Sequence, residues 1–236
     1  MDHAPNRIRA VSFDGDGTLW DFDRVMRGAL QAVLDELARV AGPSSVRGLS
    51  VGSLKHIRDA LAAREPGRAL DHHRLRRESF AVLLHDLGLY DDALHARLCD
   101  TFFDHRYASL ALYEDARAVL PALRERFRVA LISNGNSDPK QFGLDRHFDA
   151  IVFAEAFGAA KPDPGIFAET LRRLDCAPSD AVHIGDSLDN DVAGAQAAGI
   201  FGIWLNRTRA DNDTAVRPDA TITQLHELAA LLEESA

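Results

Sequence analysis

Short apolar or β-branched runs recur along the chain, and between them the apolar positions fall three and four residues apart. Ile8 to Phe13, Val129 to Ser133, Ala150 to Glu155, Ala181 to Asp186, Phe201 to Leu205 and Ala220 to Thr223 read as strands. Asp115 to Phe127, Pro164 to Asp175, Asn190 to Ala198 and Gln224 to Glu234 carry helical periodicity. This alternation predicts an α/β protein: a parallel sheet with helices on both faces. The stretch from about Phe22 to Tyr107 breaks the rhythm. It holds amphipathic helical patterns over Arg24 to Val40, Val51 to Arg64, Leu70 to Leu87 and Asp91 to Tyr107, and no strand. An all-helical insertion after the first strand is expected, dividing the chain into residues 1–20 with 108–236 and residues 21–107.

Composition narrows the function classes. A chain of 236 residues suggests one large or two modest domains, and 46% hydrophobic residues are ample for a core. The net charge of −9 argues against a general nucleic-acid binder. Residues 20–108 hold 13 basic and 13 acidic side chains, so the remaining 14 and 23 place the acid excess in the sheet region. No apolar run reaches the roughly 18 residues of a membrane span, and the polar start Met1 to Arg7 lacks a secretory apolar core. The expectation is a soluble cytoplasmic protein with no membrane partner. Cys99 and Cys176, far apart, support neither a disulfide framework nor a zinc site, and both read as inert thiols in helices. Arg64, Arg68, Arg74, Arg76 and Arg77, with His72 and His73 among them, read as a solvated helix face, one or two of which could reach a substrate.

Candidate chemistry sits where predicted strands end. The run Ala10 to Phe13 stops abruptly at Asp14-Gly15-Asp16-Gly17-Thr18. Carboxylates two apart in an extended chain point the same way, and like charges held that close call for a cation or a shared proton. Three more polar clusters follow strands: Ser133-Asn134-Gly135-Asn136, Lys161-Pro162-Asp163-Pro164 and Gly185-Asp186-Ser187-Leu188-Asp189-Asn190-Asp191. Open parallel sheets bind ligands at that edge. Each cluster alone has a plain structural account. Ser133 and Asn134 are common turn formers, Lys161 could be solvated surface, and Asp191 is placed to cap the small-residue helix that follows it. Four in this order, all at strand ends, make coincidence a poor account.

With these motifs in place the sequence resembles the haloacid dehalogenase superfamily, specifically its Mg-dependent phosphatase branch with a helical cap inserted after the first strand. The resemblance rests on Asp14 to Thr18, Ser133-Asn134-Gly135, Lys161-Pro162 and Gly185-Asp186 through Asp191, and spans Ile8 to about Trp204. It implies a Rossmann-like core (1–20 and 108–236) with a cap domain (21–107). It also implies Asp14 as nucleophile and Asp16 as general acid/base, with Ser133 and Lys161 holding phosphate beside Gly15, Asn134 and Gly135. Mg²⁺ would be bound by Asp14, Asp186 and Asp191, and by Asp16 through its backbone carbonyl. The position between the first two aspartates is commonly a larger apolar residue in this family, whereas here it is Gly15. The implied partner is a small-molecule phosphate ester, and the expected state is a monomer or homodimer.

Charge logic agrees. Four ionised aspartates are offset by Lys161 and one Mg²⁺ only to a net negative site. A proton on Asp16 makes it neutral, and a departing alkoxide needs that proton. The oxygen-only ligand set suits magnesium, and His183, inside an apolar strand, reads as core packing. A phosphomutase on the same scaffold, a metal-free haloacid dehalogenase and a non-catalytic binding protein are the alternatives; Asp16 counts against the second and the retention of all four motif groups against the third.

Overall fold

The structure, a computed structural model, describes residues 8–65 and 70–233; Arg68 and the residues before Ile8 lie outside them. The chain divides into two compact units. One runs from the amino terminus to Asp21 and resumes at Ala111, and the other is Phe22–Leu110.

The first unit is built on six parallel strands, β1 (Ala10–Phe13), β2 (Arg128–Ser133), β3 (Ala150–Phe153), β4 (Ala181–Gly185), β5 (Phe201–Leu205) and β6 (Ala220–Ile222), in the order β3-β2-β1-β4-β5-β6. Every residue of β1 and β4 is buried, as expected for central strands covered on both faces. Phe13 lies in register with Leu131 of β2 on one side and Ile184 of β4 on the other. The order reverses between β1 and β4, so the carboxyl ends of these two strands open onto the crevice where this topology receives ligands.

Helices α5 (Glu114–Arg124) and α7 (Pro164–Leu174) carry the crossovers, each with a strongly one-sided apolar face. Asp163 caps α7 by accepting from the Gly165 N–H at 2.7 Å, and Pro164 occupies the first helical position, where its missing N–H costs nothing. Ala150 to Glu155 is a strand only to Phe153, because Ala154–Phe157 turns into a one-turn helix, α6, closed by left-handed Gly158. The helix expected over Asn190 to Ala198 is a π-helical stretch, Leu188–Ala193, running into the short α8, Gly194–Ala197. Ser187, not Asp191, is its cap, accepting from the Asn190 N–H at 3.2 Å. The carboxyl-terminal helix begins as a 3₁₀ turn, Leu225–Glu227, before α9, Leu228–Glu233. Cys176 lies beyond the end of α7 rather than inside a helix.

The second unit is all-helical among the described residues. Its elements are α1 (Phe22–Ala41), α2 (Val51–Arg64), α3 (His72–Asp86) and α4 (Asp92–Ser109). Val25, Ala29, Leu30, Val33, Leu34 and Leu37 give α1 a buried stripe at helical spacing, and Ala29 to Leu37 of it pack in one core with Leu54, Phe80, Leu83, Leu84, Leu98, Phe102 and Phe103. Local caps set the boundaries: Ser50 and Ser53 form a reciprocal capping box on α2, while Asp71 and Asp91 accept from the third backbone N–H of α3 and α4. The arginine cluster is not uniformly a solvated face. Arg74 is tied to Glu78 at 2.7 Å, but Arg76 is buried, 4% exposed.

No described helix is long and apolar enough to cross a membrane.

Candidate active site

The four predicted clusters converge at the carboxyl ends of β1, β2 and β4 and in the loop before α7. Asp14 follows β1 directly, its backbone N–H bonded to Ile184 O at 2.9 Å, so the β1–β4 pairing fixes the nucleophile candidate. Lys161 is buried and makes three bonds from its Nζ: 2.6 Å to Asp14 Oδ1, 2.5 Å to Asp191 Oδ1 and 3.1 Å to Ile132 O. A lone lysine at a loop start has become the cation between two buried carboxylates.

Asn134 explains how that loop is held. Its side-chain amide donates to Lys161 O at 2.9 Å and accepts from Lys161 N at 2.7 Å, a two-point clamp that fixes the lysine backbone to the end of β2. The residue expected to touch phosphate thus positions Lys161 with its side chain. Ser133 is buried, and its Oγ accepts from the Gly135 N–H at 3.0 Å, which leaves the hydroxyl proton to donate.

Three carboxylates, Asp14, Asp186 and Asp191, offer ligand oxygens within 4.8 Å of one another. Asp14 Oδ2 is buried with no hydrogen-bond partner, an orphaned acceptor in a cluster of like charge. Burial pushes the Asp14 carboxyl well above the usual range against the pull of Lys161, and Asp191, Asp16 and Asp186 push it the same way. Asp186, on the exposed rim, is pushed up to about 6 by desolvation and by its acidic neighbours. Asp191 goes the other way: burial would raise it, but Lys161 and His183 together hold it below the usual carboxylate range. An orphaned oxygen and two strained carboxyls in an all-oxygen set fit a hard divalent cation. The Asp16 carboxylate is not among these clustered ligand atoms.

His183 is fully buried and edge-on to Phe167 at 5.0 Å, which agrees with core packing, but it also has polar partners. Ser12 Oγ lies 2.9 Å from Nδ1, and Nε2 faces Asp191 Oδ1 at 3.4 Å. Behind the Asp191–Lys161 pair stands a ring that also fixes Asp191.

The site has further supports outside the four motifs. The Trp20 indole, fully buried, donates from Nε1 to Asp16 Oδ1 at 2.6 Å. A Cβ at Gly15 would sit 2.5 Å from Trp20 Cζ2, so the indole fills the space that a larger residue would otherwise occupy. Gly17, at φ +88, turns the chain with its bare face against the Asp186 carboxylate. Trp204 on β5 donates from Nε1 to Asp186 O at 2.9 Å. Arg207, just past β5, donates to Thr18 O at 2.9 Å and grips Asp115 at the start of α5 with two bonds of 2.9 and 3.0 Å. The available signal was slight: Trp20 lies two residues beyond Thr18, but Trp204 is far along the chain from every motif.

A family model described as haloacid dehalogenase-like hydrolase matches residues 8–199. The chain is 30% identical to the glyceraldehyde 3-phosphate phosphatase of Methanopyrus kandleri, over 97% of this chain and 99% of that protein. It is 26% identical to the 5-amino-6-(5-phospho-D-ribitylamino)uracil phosphatase YigB of Escherichia coli, over 96% and 97%. Among solved structures, a 2-haloacid dehalogenase from Pseudomonas syringae pv. Tomato DC3000 matches with a TM-score of 0.80 at 34% identity, over 97% of this chain and all of that one.

Proposed function

The chain belongs to the haloacid dehalogenase-like hydrolases, and from that premise we propose that it is a cytoplasmic Mg²⁺-dependent phosphatase acting on a small-molecule phosphate monoester, with residues 21–107 as its cap. The observation that carries this reading is Asp14 itself: one carboxylate oxygen is held by Lys161 at 2.6 Å and the other is buried without a partner. An aspartate in that state has one oxygen oriented and one waiting for an electrophile or a cation.

In this reading an Asp14 oxygen attacks phosphorus, the ester P–O bond breaks, and the leaving oxygen takes the proton that Asp16 carries. The product alcohol leaves and an acyl phosphate remains on Asp14. Asp16, now a carboxylate, takes a proton from a water that attacks the same phosphorus; inorganic phosphate departs and Asp14 is restored. Lys161 stays charged throughout, its pKa raised by the adjoining carboxylates despite burial, and offsets the negative charge on the transferring group. Ser133 donates its hydroxyl proton to a phosphoryl oxygen. Asn134 keeps the Lys161 backbone in place, and the Trp20 indole fixes which way Asp16 points. Asp14, Asp186 and Asp191 would hold the Mg²⁺, which supplies charge neutralisation for the phosphoryl oxygens.

The test is phosphate release from an aryl phosphate and from unactivated esters. Asp14→Asn should abolish it, because a neutral amide is a poor nucleophile. Asp16→Asn should slow it by about 10² to 10⁴ and accumulate phosphate on the Asp14-bearing peptide, read by mass spectrometry after acid quench. A label on another residue, or an active Asp14→Asn variant, overturns the assignment. The resemblance to a structure described as a 2-haloacid dehalogenase gives the second reading. Halide release from a 2-haloacid with no phosphate release from any ester would establish it instead; Asp16, which dehalogenation does not use, argues against it. Transfer of the phosphoryl group within a sugar phosphate, without free phosphate, would mark a phosphomutase.

A further inference from the structure

Two polar side chains stand among the apolar residues of the central strands, and neither takes part in the phosphoryl transfer. Ser12 on β1 is 3% exposed and His183 on β4 is fully buried. The parallel register of the two strands sets them side by side. Burying a hydroxyl and an imidazole is costly unless their hydrogen bonds are made, so each proton needs a destination.

Ser12 Oγ lies 2.9 Å from His183 Nδ1 and 3.2 Å from Val182 O. Nε2, on the far side of the ring, faces Asp191 Oδ1 at 3.4 Å. A neutral ring carries one proton and the hydroxyl another. If the hydroxyl donates to Val182 O, Nδ1 must donate to the hydroxyl, and Nε2 then sets a bare lone pair against a carboxylate oxygen. If the hydroxyl donates to Nδ1, the ring proton sits on Nε2 and reaches Asp191. Only the second arrangement avoids a repulsive contact. Burial and the Lys161 ammonium, against the pull of Asp191, disfavour a second proton on the ring.

Asp191 links this pair to the site. Its Oδ1 accepts from Lys161 Nζ at 2.5 Å as well as facing the ring, and its Oδ2 accepts from the Ser187 N–H at 3.0 Å. A Cβ at Gly185 would collide with the same carboxylate, so the end of β4 packs against it as well. Lys161 has three ammonium protons and three acceptors, Asp14 Oδ1, Asp191 Oδ1 and Ile132 O. Its direction is therefore set by where those acceptors stand, and a displaced Asp191 would draw the ammonium away from Asp14.

We infer that Ser12 and His183 are positioning residues for the catalytic cluster: Ser12 donates to Nδ1, which commits the ring proton to Nε2, and that proton holds Asp191 and, through it, Lys161 beside Asp14. Neither residue touches substrate. Partners that orient the ligands of a metal site are typically worth about 10- to 100-fold in metal affinity or activity.

The first test reads the proton directly, by nitrogen NMR of metal-free wild type carrying isotopically labelled histidine at neutral pH, with the His183 signals assigned by their absence from His183→Gln. A neutral ring protonated on Nε2 is expected. A proton on Nδ1, or on both nitrogens, would overturn the proposal. Ser12→Ala should move the Nδ1 resonance or populate the other tautomer; an unchanged pattern would mean that the ring is held by packing against Phe167 and not by Ser12.

The second test reads positioning in the full chain, on variants shown to be folded. His183→Asn keeps a partner for Ser12 and removes the donor to Asp191, whereas His183→Gln restores a donor near the place of Nε2. In His183→Asn the Mg²⁺ dissociation constant from calorimetry should rise and kcat on an aryl phosphate should fall, each by about 10- to 100-fold, with KM nearly unchanged. His183→Gln should recover most of both. Ser12→Ala is the smaller change and guards against a folding failure; it should lose about 3- to 10-fold, and Ser12→Thr, which keeps the hydroxyl, should lose little. Wild-type Mg²⁺ affinity and kcat in folded His183→Asn and Ser12→Ala would overturn the proposal and leave the pair as core packing. The Mg²⁺ and kinetic measurements rest on the phosphatase reading. If wild type releases phosphate from no ester, that reading falls, and the NMR of the metal-free protein still decides whether Ser12 turns the ring proton toward Asp191.

Discussion

Replacing Lys161 with methionine removes the cation that bonds both Asp14 and Asp191 while keeping a side chain of similar length. Lys161 Nζ is 2.6 Å from one carboxylate and 2.5 Å from the other, and all three side chains are less than a tenth exposed. Breaking a buried ion pair by deleting one partner typically costs about 3 to 5 kcal/mol, because the survivor stays buried and uncompensated. Here two survivors face each other. In a chain of this size about 1 kcal/mol moves the melting temperature by 2–4 °C, so the expected loss is about 6 to 20 °C at neutral pH. The pH dependence carries a definite sign. In wild type the folded Asp191 pKa is depressed by Lys161 and His183, so its contribution is full above the unfolded carboxylate value and is lost as pH falls through the folded one. In the variant both carboxylates lose their cation and their folded values rise. The penalty is then full at high pH and is relieved as pH falls through those raised values. Urea titrations of metal-free protein between pH 5 and 8 should therefore show the gap in midpoint between wild type and variant narrowing as pH is lowered, with the m-value unchanged. Mg²⁺ should recover more stability in the variant than in wild type. A variant with the wild-type midpoint, or a gap that widens toward acid, would refute the argument that Lys161 compensates this pair.

Chelation should abolish phosphate release and Mg²⁺ restore it; Asp186→Asn, which removes the rim carboxylate of the cluster, should shift the Mg²⁺ dependence to higher concentration, and turnover untouched by excess chelator would exclude a metal role. Trp20→Phe deletes the donor 2.6 Å from Asp16 Oδ1, so kcat should fall by about tenfold on an alkyl ester and by less on an aryl ester, whose leaving group needs little protonation. Equal losses on both, or an unchanged further loss in an Asp16→Asn background, would mean that Trp20 does not act through Asp16. Gly15→Ala should destabilise by about 1–3 kcal/mol through overpacking, since its Cβ would meet Trp20 at 2.5 Å; combining it with Trp20→Phe should cost less than the two changes separately, measured by urea midpoints.

The sheet was legible because its strands are short, apolar and separated by helical patterns, and the predicted strands all pair in parallel around β1. The same reading misplaced what local hydrogen bonds decide. Ala154 and Glu155 looked like the continuation of β3, yet the chain turns into α6 there, closed at Gly158. Asp191 looked like a cap because aspartates before small-residue helices usually are. Its carboxylate instead accepts from the Ser187 N–H at 3.0 Å and from Lys161 Nζ, and the backbone takes a π-helical path through it. Arg76 read as one more charge on a solvated face. Periodicity assigns a residue to a helix face only relative to its neighbours' polarity, and a buried arginine breaks that logic.

The groups that carry charge at this site are short side chains at strand ends, and sequence order could find them. The groups that orient them are a different set: Trp20 beside Asp16, Trp204 behind Asp186, Asn134 across to Lys161, and Arg207 joining the Thr18 carbonyl to Asp115. None of these contacts follows from composition or spacing: the first is set by the fold of a single loop, and the others depend on segments that only the finished sheet brings together. Yet rigid placement is what converts a cluster of carboxylates into chemistry, since an oxygen displaced by an ångström from its attack position loses most of its advantage. Gly15 shows the two layers acting on each other. Its missing side chain admits the Trp20 indole, and the indole in turn holds the carboxylate two residues from the nucleophile. The departure from the common pattern of the first motif is thus matched by a compensating residue within the same loop.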